Sequence, residues 1–280
     1  KIKYLPKNLK KKINSDIKKI KSKKKNFSNL NFKKIPNILG VLNLTPDSFS
    51  DGGKFNKKKA GVSHALNLYN TGANLIDVGG ESTRPGSRPV NEKLEWNRIN
   101  TILKLIVKKI PTSLDTRKSK IMENGIRMGI KLINDVSGLS YDPKTIKILK
   151  KSKIPFVIQH SIRTPENMQK KPKYKNVLLD IYDYFEDKIK FIRSKGIKHK
   201  NIILDPGIGF GKNLKHNMNL IKGISIFHSL GFPILVGNSR KSFIKDISKK
   251  NDSKTRIGGT MASSIYLLMQ GIQILRIHDV

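Results

Sequence analysis

The 280-residue sequence predicts a (β/α)8 TIM barrel, and three features predict it. Eight short apolar runs recur along the chain, each run ends in a polar cluster, and longer charged segments of helical period lie between successive runs. Strand and helix alternating eight times is the pattern of a parallel barrel. Parallel strands covered on both faces read as continuous apolar stretches, as these do. A doubly wound sheet also alternates, but it would gather its ligand groups at one switch point instead of after every strand.

The first run covers residues 38–42 and ends at Asn43, followed by Thr45, Pro46, Asp47, Ser48, Phe49, Ser50, Asp51 and two glycines. Such oxygens on a glycine-rich loop suit a magnesium diphosphate, because Mg²⁺ takes few protein ligands and keeps waters or phosphates; the same residues also build turns. The second run, 75–78, ends in GGESTRPGS, where Thr83 and Arg84 stand between helix breakers and Pro85 stiffens the loop. An Arg there can fork onto phosphate or carboxylate, or sit on the surface of a structural loop.

The third run, 112–114, ends at Asp115, Thr116 and Arg117; the fourth, 132–133, precedes Asn134 and Asp135. The fifth, 154–158, ends at Gln159 and His160, and the sixth, 202–204, ends at Asp205. Asp115, Asn134 and Asp205 would converge across a barrel mouth, where carboxylate and amide groups can bind the edge of a flat heterocycle. Metal binding or capping of the following helices are the alternatives, capping being strong for Asp115. His160 reads either as an orienter behind the site or as a hydrogen-bonded core histidine, the latter slightly favoured.

Asp205 opens DPGIGFGK, which lacks the spacing of G-x-x-x-x-G-K and has Asn213 where a magnesium-binding Ser or Thr would stand. A loop offering a planar ligand close backbone approach is the better reading. The seventh run, 234–236, precedes Gly237, Asn238, Ser239, Arg240, Lys241 and Ser242; the eighth, 272–275, precedes Arg276 and His278. Barrels commonly hold phosphate in the loops after strands seven and eight, and three cations gather there. Helical segments are expected at 57–71, 91–109, 176–194 and 254–270.

A net charge of +37 would ordinarily indicate a polyanion partner. The lysines are spread over nearly every expected helix beside abundant Asn and Ile, which points to biased codon usage and not to a nucleic-acid surface. Residues 1–34 differ, with fourteen lysines, Asp16 as the one acid and no clear period. They read as a solvated tail or linker ahead of a catalytic domain at 35–280. No run of about 18 apolar residues exists and no signal peptide is recognisable, so no membrane partner is expected. The absence of cysteine excludes disulfides and thiolate chemistry and fits a reducing cytoplasm. The sequence begins with Lys and stops at Val280, directly after the eighth run, so the eighth helix of the barrel is expected to be missing.

Taken in order, NLTPDSFSDGG, GGESTRPGS, SLDTRKS, INDVSG, LDPGIGFGK, GNSRKS and RIHDV closely resemble the dihydropteroate synthase family over residues 38–280. The resemblance implies a pterin-binding barrel that joins 6-hydroxymethyl-7,8-dihydropterin diphosphate to 4-aminobenzoate and releases diphosphate, with Mg²⁺ as cofactor. By motif it implies that Asp115, Asn134, Asp205 and Lys241 hold the pterin ring and that Asn43 helps place the metal. Arg276 and His278 would grip the diphosphate with Arg84. Thr83, Arg84, Pro85, Lys241 and Ser242 would shape the aminobenzoate pocket, with Phe49 closing over it. Asp51 would stabilise positive charge on the pterin methylene, making Lys241, Arg84 and Asp51 the catalytic set.

Gln159 departs from the expected pattern, which has an apolar residue before His160. The family commonly dimerises, so a homodimer is expected. Two other functions compete: a pterin-binding methyltransferase barrel, which should lack NLTPDSF and STRPGS, and a non-catalytic basic barrel for polyanions, which should have lost the site residues.

Overall fold

The computed structural model of the chain describes residues 4–24, 26–27, 29–45, 58–84, 86–162, 172–249 and 252–280. Its eight parallel strands are β1 (Asn37–Asn43), β2 (Leu75–Gly79), β3 (Thr112–Asp115), β4 (Leu132–Asp135), β5 (Phe156–Gln159), β6 (Ile202–Asp205), β7 (Leu235–Val236) and β8 (Ile274–Ile277). They hydrogen-bond in the order β6-β5-β4-β3-β2-β1-β8-β7. A parallel bridge between Leu204 and Ile234 brings β7 back to β6, with the Leu204 N–H donating to the Pro233 carbonyl at 3.0 Å. The expected barrel is the one observed.

Helix α1 (Lys7–Lys21) precedes β1, and α2 (Lys58–Asn70), α3 (Glu92–Ile106), α4 (Ser119–Met128), α5 (Thr145–Ser152), α6 (Val177–Ser194), α7 (Leu214–Lys222), α8 (Ser242–Ser248) and α9 (Ile257–Met269) lie between the strands. Local chemistry sets several starts. Asn91 accepts from the Leu94 N–H and Asn176 from Leu178 and Leu179, satisfying donors the first helical turn leaves open. The segment expected at 254–270 divides into a 3-10 turn at Ser253–Arg256 and α9, and α8 was not legible as a helix of its own.

Strand periodicity divides the interior into tiers. Leu39, Leu75, Leu132, Val157, Ile203, Leu235 and Ile274, one from each of seven strands, form a single apolar cluster inside the barrel. Side chains two residues further along a strand point the same way, so the next tier up is Val41, Asp77, Asn134, Gln159, Asp205, Gly237 and Arg276. Alternate residues such as Ile76, Leu114, Ile133, Phe156 and Leu204 face outward, where they pack with Ile99 of α3 and Phe185 of α6. Each such buried aliphatic or aromatic side chain contributes roughly 1.5–3 kcal/mol, so the apolar tiers hold the frame and release the upper one for polar work.

Residues 1–34 depart from the expected solvated tail. Helix α1 buries no residue, but it lies against the 3-10 segment Ile224–Leu230, and Lys12 Nζ sits 3.6 Å from Glu186. Beyond it, Phe27 and Leu30 bridge each other and join the inner apolar tier at 8% and 1% exposure. Asn37 ties this turn to β1, accepting from the Asn31 N–H at 2.7 Å and donating to the Asn31 carbonyl at 3.1 Å. The floor of the barrel therefore comes from the segment before residue 35. Two apolar residues among lysines suffice, because the strands already supply the rest of the layer.

Helix α9 turns an uncharged face outward: Ile257, Met261, Ile265 and Met269, spaced four apart, are 53%, 64%, 54% and 81% exposed.

Candidate active site

The polar tier opens at the carboxyl ends of the strands, where four strands contribute one connected cluster. Arg276 Nε donates to Asp77 Oδ2 at 2.6 Å and its NH2 donates to Asp115 Oδ2 at 2.8 Å. Asn134 Nδ2 donates to the same Asp77 oxygen at 3.0 Å. Asp77, Asp115, Asn134 and Asp205 are all buried. Gly79 lies between this cluster and Asn43, its Cβ position 3.6 Å from Asp115 Oδ2 and 3.7 Å from Asn43 Oδ1.

Asp205 is fixed by its own turn, its Oδ1 accepting from the Gly207 N–H at 2.8 Å. Gly207 has φ +70°, and a Cβ would fall 2.1 Å from the His160 carbonyl oxygen, so no other residue fits. Lys212 then clamps the loop from beneath, donating to the Gly207 and Phe210 carbonyls at 2.9 Å each and lying 3.1 Å from His160 Nδ1. DPGIGFGK is thus a braced turn whose lysine points into protein, as its failed phosphate-loop spacing foretold. Lys241, at the start of α8, extends over this loop with Nζ 4.1 Å from the Phe210 ring centroid.

The electrostatics follow from three buried acids facing two cations. Burial pushes Asp115 up to about 8 against the pull of Arg276, with Asp77 adding to the rise. Burial also lifts Asp205 to about 6, opposed by the Gly207 N–H and by Lys241. Desolvation, then Arg276, brings Lys241 down to about 8, while Asp205 and Asp115 pull the other way. Burial and the neighbouring Arg276, Arg240 and Lys241 hold His278 well below its ordinary value, which makes it a neutral imidazole at neutral pH. Its Nδ1 is 3.1 Å from Ser239 Oγ. Such displaced values in a concave, polar setting mark a site built for recognition.

The loop after β2 is pinned at both ends by one carboxylate. Glu81 accepts from Arg117 Nε at 2.7 Å, Lys118 Nζ at 2.9 Å and the Val90 N–H at 3.0 Å, leaving the residues between to carry Thr83 and Arg84, both half-buried. Ser242 is exposed in the first turn of α8. Phe49, Asp51 and Pro85 lie outside the described residues. Asn43 is the metal candidate, and among the described residues no three His, Cys, Asp or Glu side chains converge as a metal site. One amide oxygen fits an ion carried mainly by substrate phosphate and water.

One alternative reading falls here and one grouping changes. Asp115 does not cap α4, whose first position follows Lys118 without a side-chain cap; Asp115 faces the barrel axis instead, because β3 runs one residue into the motif. Arg240, grouped with Lys241 and Arg276 as a phosphate cation, turns to Asp279, with Nε donating to Oδ2 at 2.8 Å. Asp77 was missed altogether. Its signal was present, since an acid inside the run LIDVG is costly unless paired, and it stands on the same strand phase as Gly79.

The family profile described as pterin binding enzyme matches residues 39–278. The chain belongs to the pterin-binding enzyme family. Within it, the dihydropteroate synthase of Escherichia coli K12 is 39% identical over 88% of this chain and 87% of its own. The family barrel is also seen in the Yersinia pestis dihydropteroate synthase solved with a sulfonamide drug, at TM-score 0.86, 37% identity and coverage of 90% and 91% of the two chains. Another family member, the Xanthomonas albilineans dihydropteroate synthase in complex with 7,8-dihydropteroate, superposes at TM-score 0.79 with 31% identity, covering 90% of each chain.

Proposed function

We infer that the chain is a dihydropteroate synthase, joining 6-hydroxymethyl-7,8-dihydropterin diphosphate to 4-aminobenzoate. The observation that carries the reading is the cluster of buried Asp77, Asp115, Asn134 and Asp205 with the partly exposed Arg276 at the mouth of a barrel related to one that holds 7,8-dihydropteroate. Asp115, Asn134 and Asp205 present acceptors to the amino and ring N–H groups of the pterin, and Lys241 donates from over the loop that follows Asp205. Arg276, held by Asp77 and Asp115 through Nε and NH2, would meet the diphosphate with its remaining edge, beside His278 and Arg84.

The reaction breaks the bond between the pterin methylene and the diphosphate oxygen and forms one from that carbon to the aniline nitrogen. The nitrogen then loses a proton to solvent, and no protein nucleophile is needed. Preorganised cations near the leaving group stabilise the charge that develops on it. A magnesium ion, held by Asn43 and the diphosphate, would supply further neutralisation. Thr83, Arg84 and Ser242 would form the aminobenzoate side, and Phe49, Asp51 and Pro85, outside the described residues, are assigned to that side by their motifs alone.

The chain works as a homodimer in the cytoplasm. The uncharged outward face of α9 supports the dimer, since apolar patches of this kind mark contact surfaces. The test is incubation with the pterin diphosphate, Mg²⁺ and 4-aminobenzoate while dihydropteroate and diphosphate are measured. Product should form in the wild type, and Lys241→Ala should lose on the order of a hundredfold or more in kcat/KM, as an unpaired buried ligand edge demands. Absence of product from the folded wild type would sink the reading.

A further inference from the structure

Gln159 is the member of the polar tier that the reading above leaves without work. It ends β5, pairs in register with Asp205, and is two residues beyond Val157 of the inner apolar cluster, so it shares their inward phase. The residue is 3% exposed, and its Nε2 has no hydrogen-bond partner among the described residues. The adjacent strand β4 and, two strands further round, β2 carry the complementary deficit. Asp77 Oδ1 and Asn134 Oδ1 are likewise buried and without partners, although each residue's other polar atom is engaged.

A buried amide nitrogen left unpaired is destabilising by about 1–3 kcal/mol, so such atoms are uncommon unless something else completes them. Here one orphan donor and two orphan acceptors belong to the same inward tier. That pattern complements a heterocycle edge presenting N–H groups toward Asp77 and Asn134 and a carbonyl or ring-nitrogen acceptor toward Gln159.

We propose that Gln159 is a substrate-recognition residue of this chain, donating its amide N–H to the oxo-bearing edge of the bound pterin and selecting it against an amino-bearing edge. The proposal rests on the barrel mouth being the pterin pocket. A site built to hydrogen-bond one group rejects an analogue that cannot answer it, because the site's own polar atom then stays buried and unpaired. The amino substituent would also set donor against donor.

The test compares binding of 6-hydroxymethylpterin and its 2,4-diamino analogue by calorimetry in wild type and Gln159→Met, a swap of similar size that removes only the polar amide. Wild type should prefer the oxo compound. Gln159→Met should bind it about tenfold more weakly, the order of one hydrogen bond, and its preference over the diamino analogue should fall by a similar factor, the remainder resting on the ring N–H that only the oxo form offers to the acids and Asn134. Its melting temperature without ligand should be unchanged or higher, since an orphan amide has been removed, and its KM for 4-aminobenzoate should be unchanged. Equal affinity of Gln159→Met and wild type for the oxo compound would overturn the proposal while leaving the pocket assignment intact. A lowered melting temperature with parallel losses for both pteridines and for 4-aminobenzoate would also overturn it, showing that the amide serves the fold. Failure of the wild type to bind either pteridine would overturn the proposal together with the pocket assignment beneath it.

Discussion

The opposed shifts of Asp205 and Lys241 give the pocket a defined working range. Ionised Asp205 accepts ligand N–H groups, and burial lifts it to about 6, so pterin recognition strengthens as pH rises through that value. Protonated Lys241 donates, and desolvation lowers it to about 8, so recognition weakens as pH rises through that value. The expected kcat/KM profile rises through about 6 with Asp205 and falls near about 8, where Lys241 and the facing Asp115 titrate as a coupled pair, and Asp205→Asn should flatten the acid limb alone. A profile unchanged in Asp205→Asn would reject this assignment. At this scale the sequence was legible where a polar residue closed an apolar run, as at Asp115, Asn134 and Asp205. It was opaque where the residue sat inside the run, as with Asp77. The partners of Arg276 lie 199 and 161 positions away, and only closure of the barrel brings them together.

The elements divide stability from chemistry along the barrel axis. Leu30 is 1% exposed in the floor, with Phe27 beside it, and the polar tier lies beyond the apolar one. Leu30→Ala should cost about 2–5 kcal/mol in urea unfolding, as large-to-small changes in packed interiors do, with kcat and both KM values unchanged for the folded fraction. A fall in kcat without loss of stability would contradict that division. The eight strands were readable because parallel strands buried on both sides must be apolar throughout. The floor was not, since Phe27 and Leu30 show no periodicity and acquire meaning only beneath seven other side chains. Helix α8 escaped notice for a similar reason: seven residues are too few for a helical repeat to declare itself.

For the whole molecule, the +37 charge and the α9 face act against each other. Two such chains repel, and repulsion between exposed charges is screened by salt. Sedimentation should therefore show the dimer fraction rising between about 0.05 and about 0.5 M NaCl, because the Debye length falls severalfold over that range. Met261→Lys with Ile265→Lys should give monomer throughout, by placing charge at the centre of the apolar stripe. Dimer persisting unchanged in that double variant would place the contact elsewhere. The total charge was plain from composition, but its consequence depended on α9, whose uncharged face becomes visible only when residues four apart are aligned on one helix.

The floor has a further, practical meaning. Because residues 27 and 30 sit at the end of the barrel away from the polar tier, the segment leading into them offers an attachment point remote from the chemistry. A dye or a tether coupled to a residue of α1, which rests on the outer segment Ile224–Leu230, would leave the polar tier untouched.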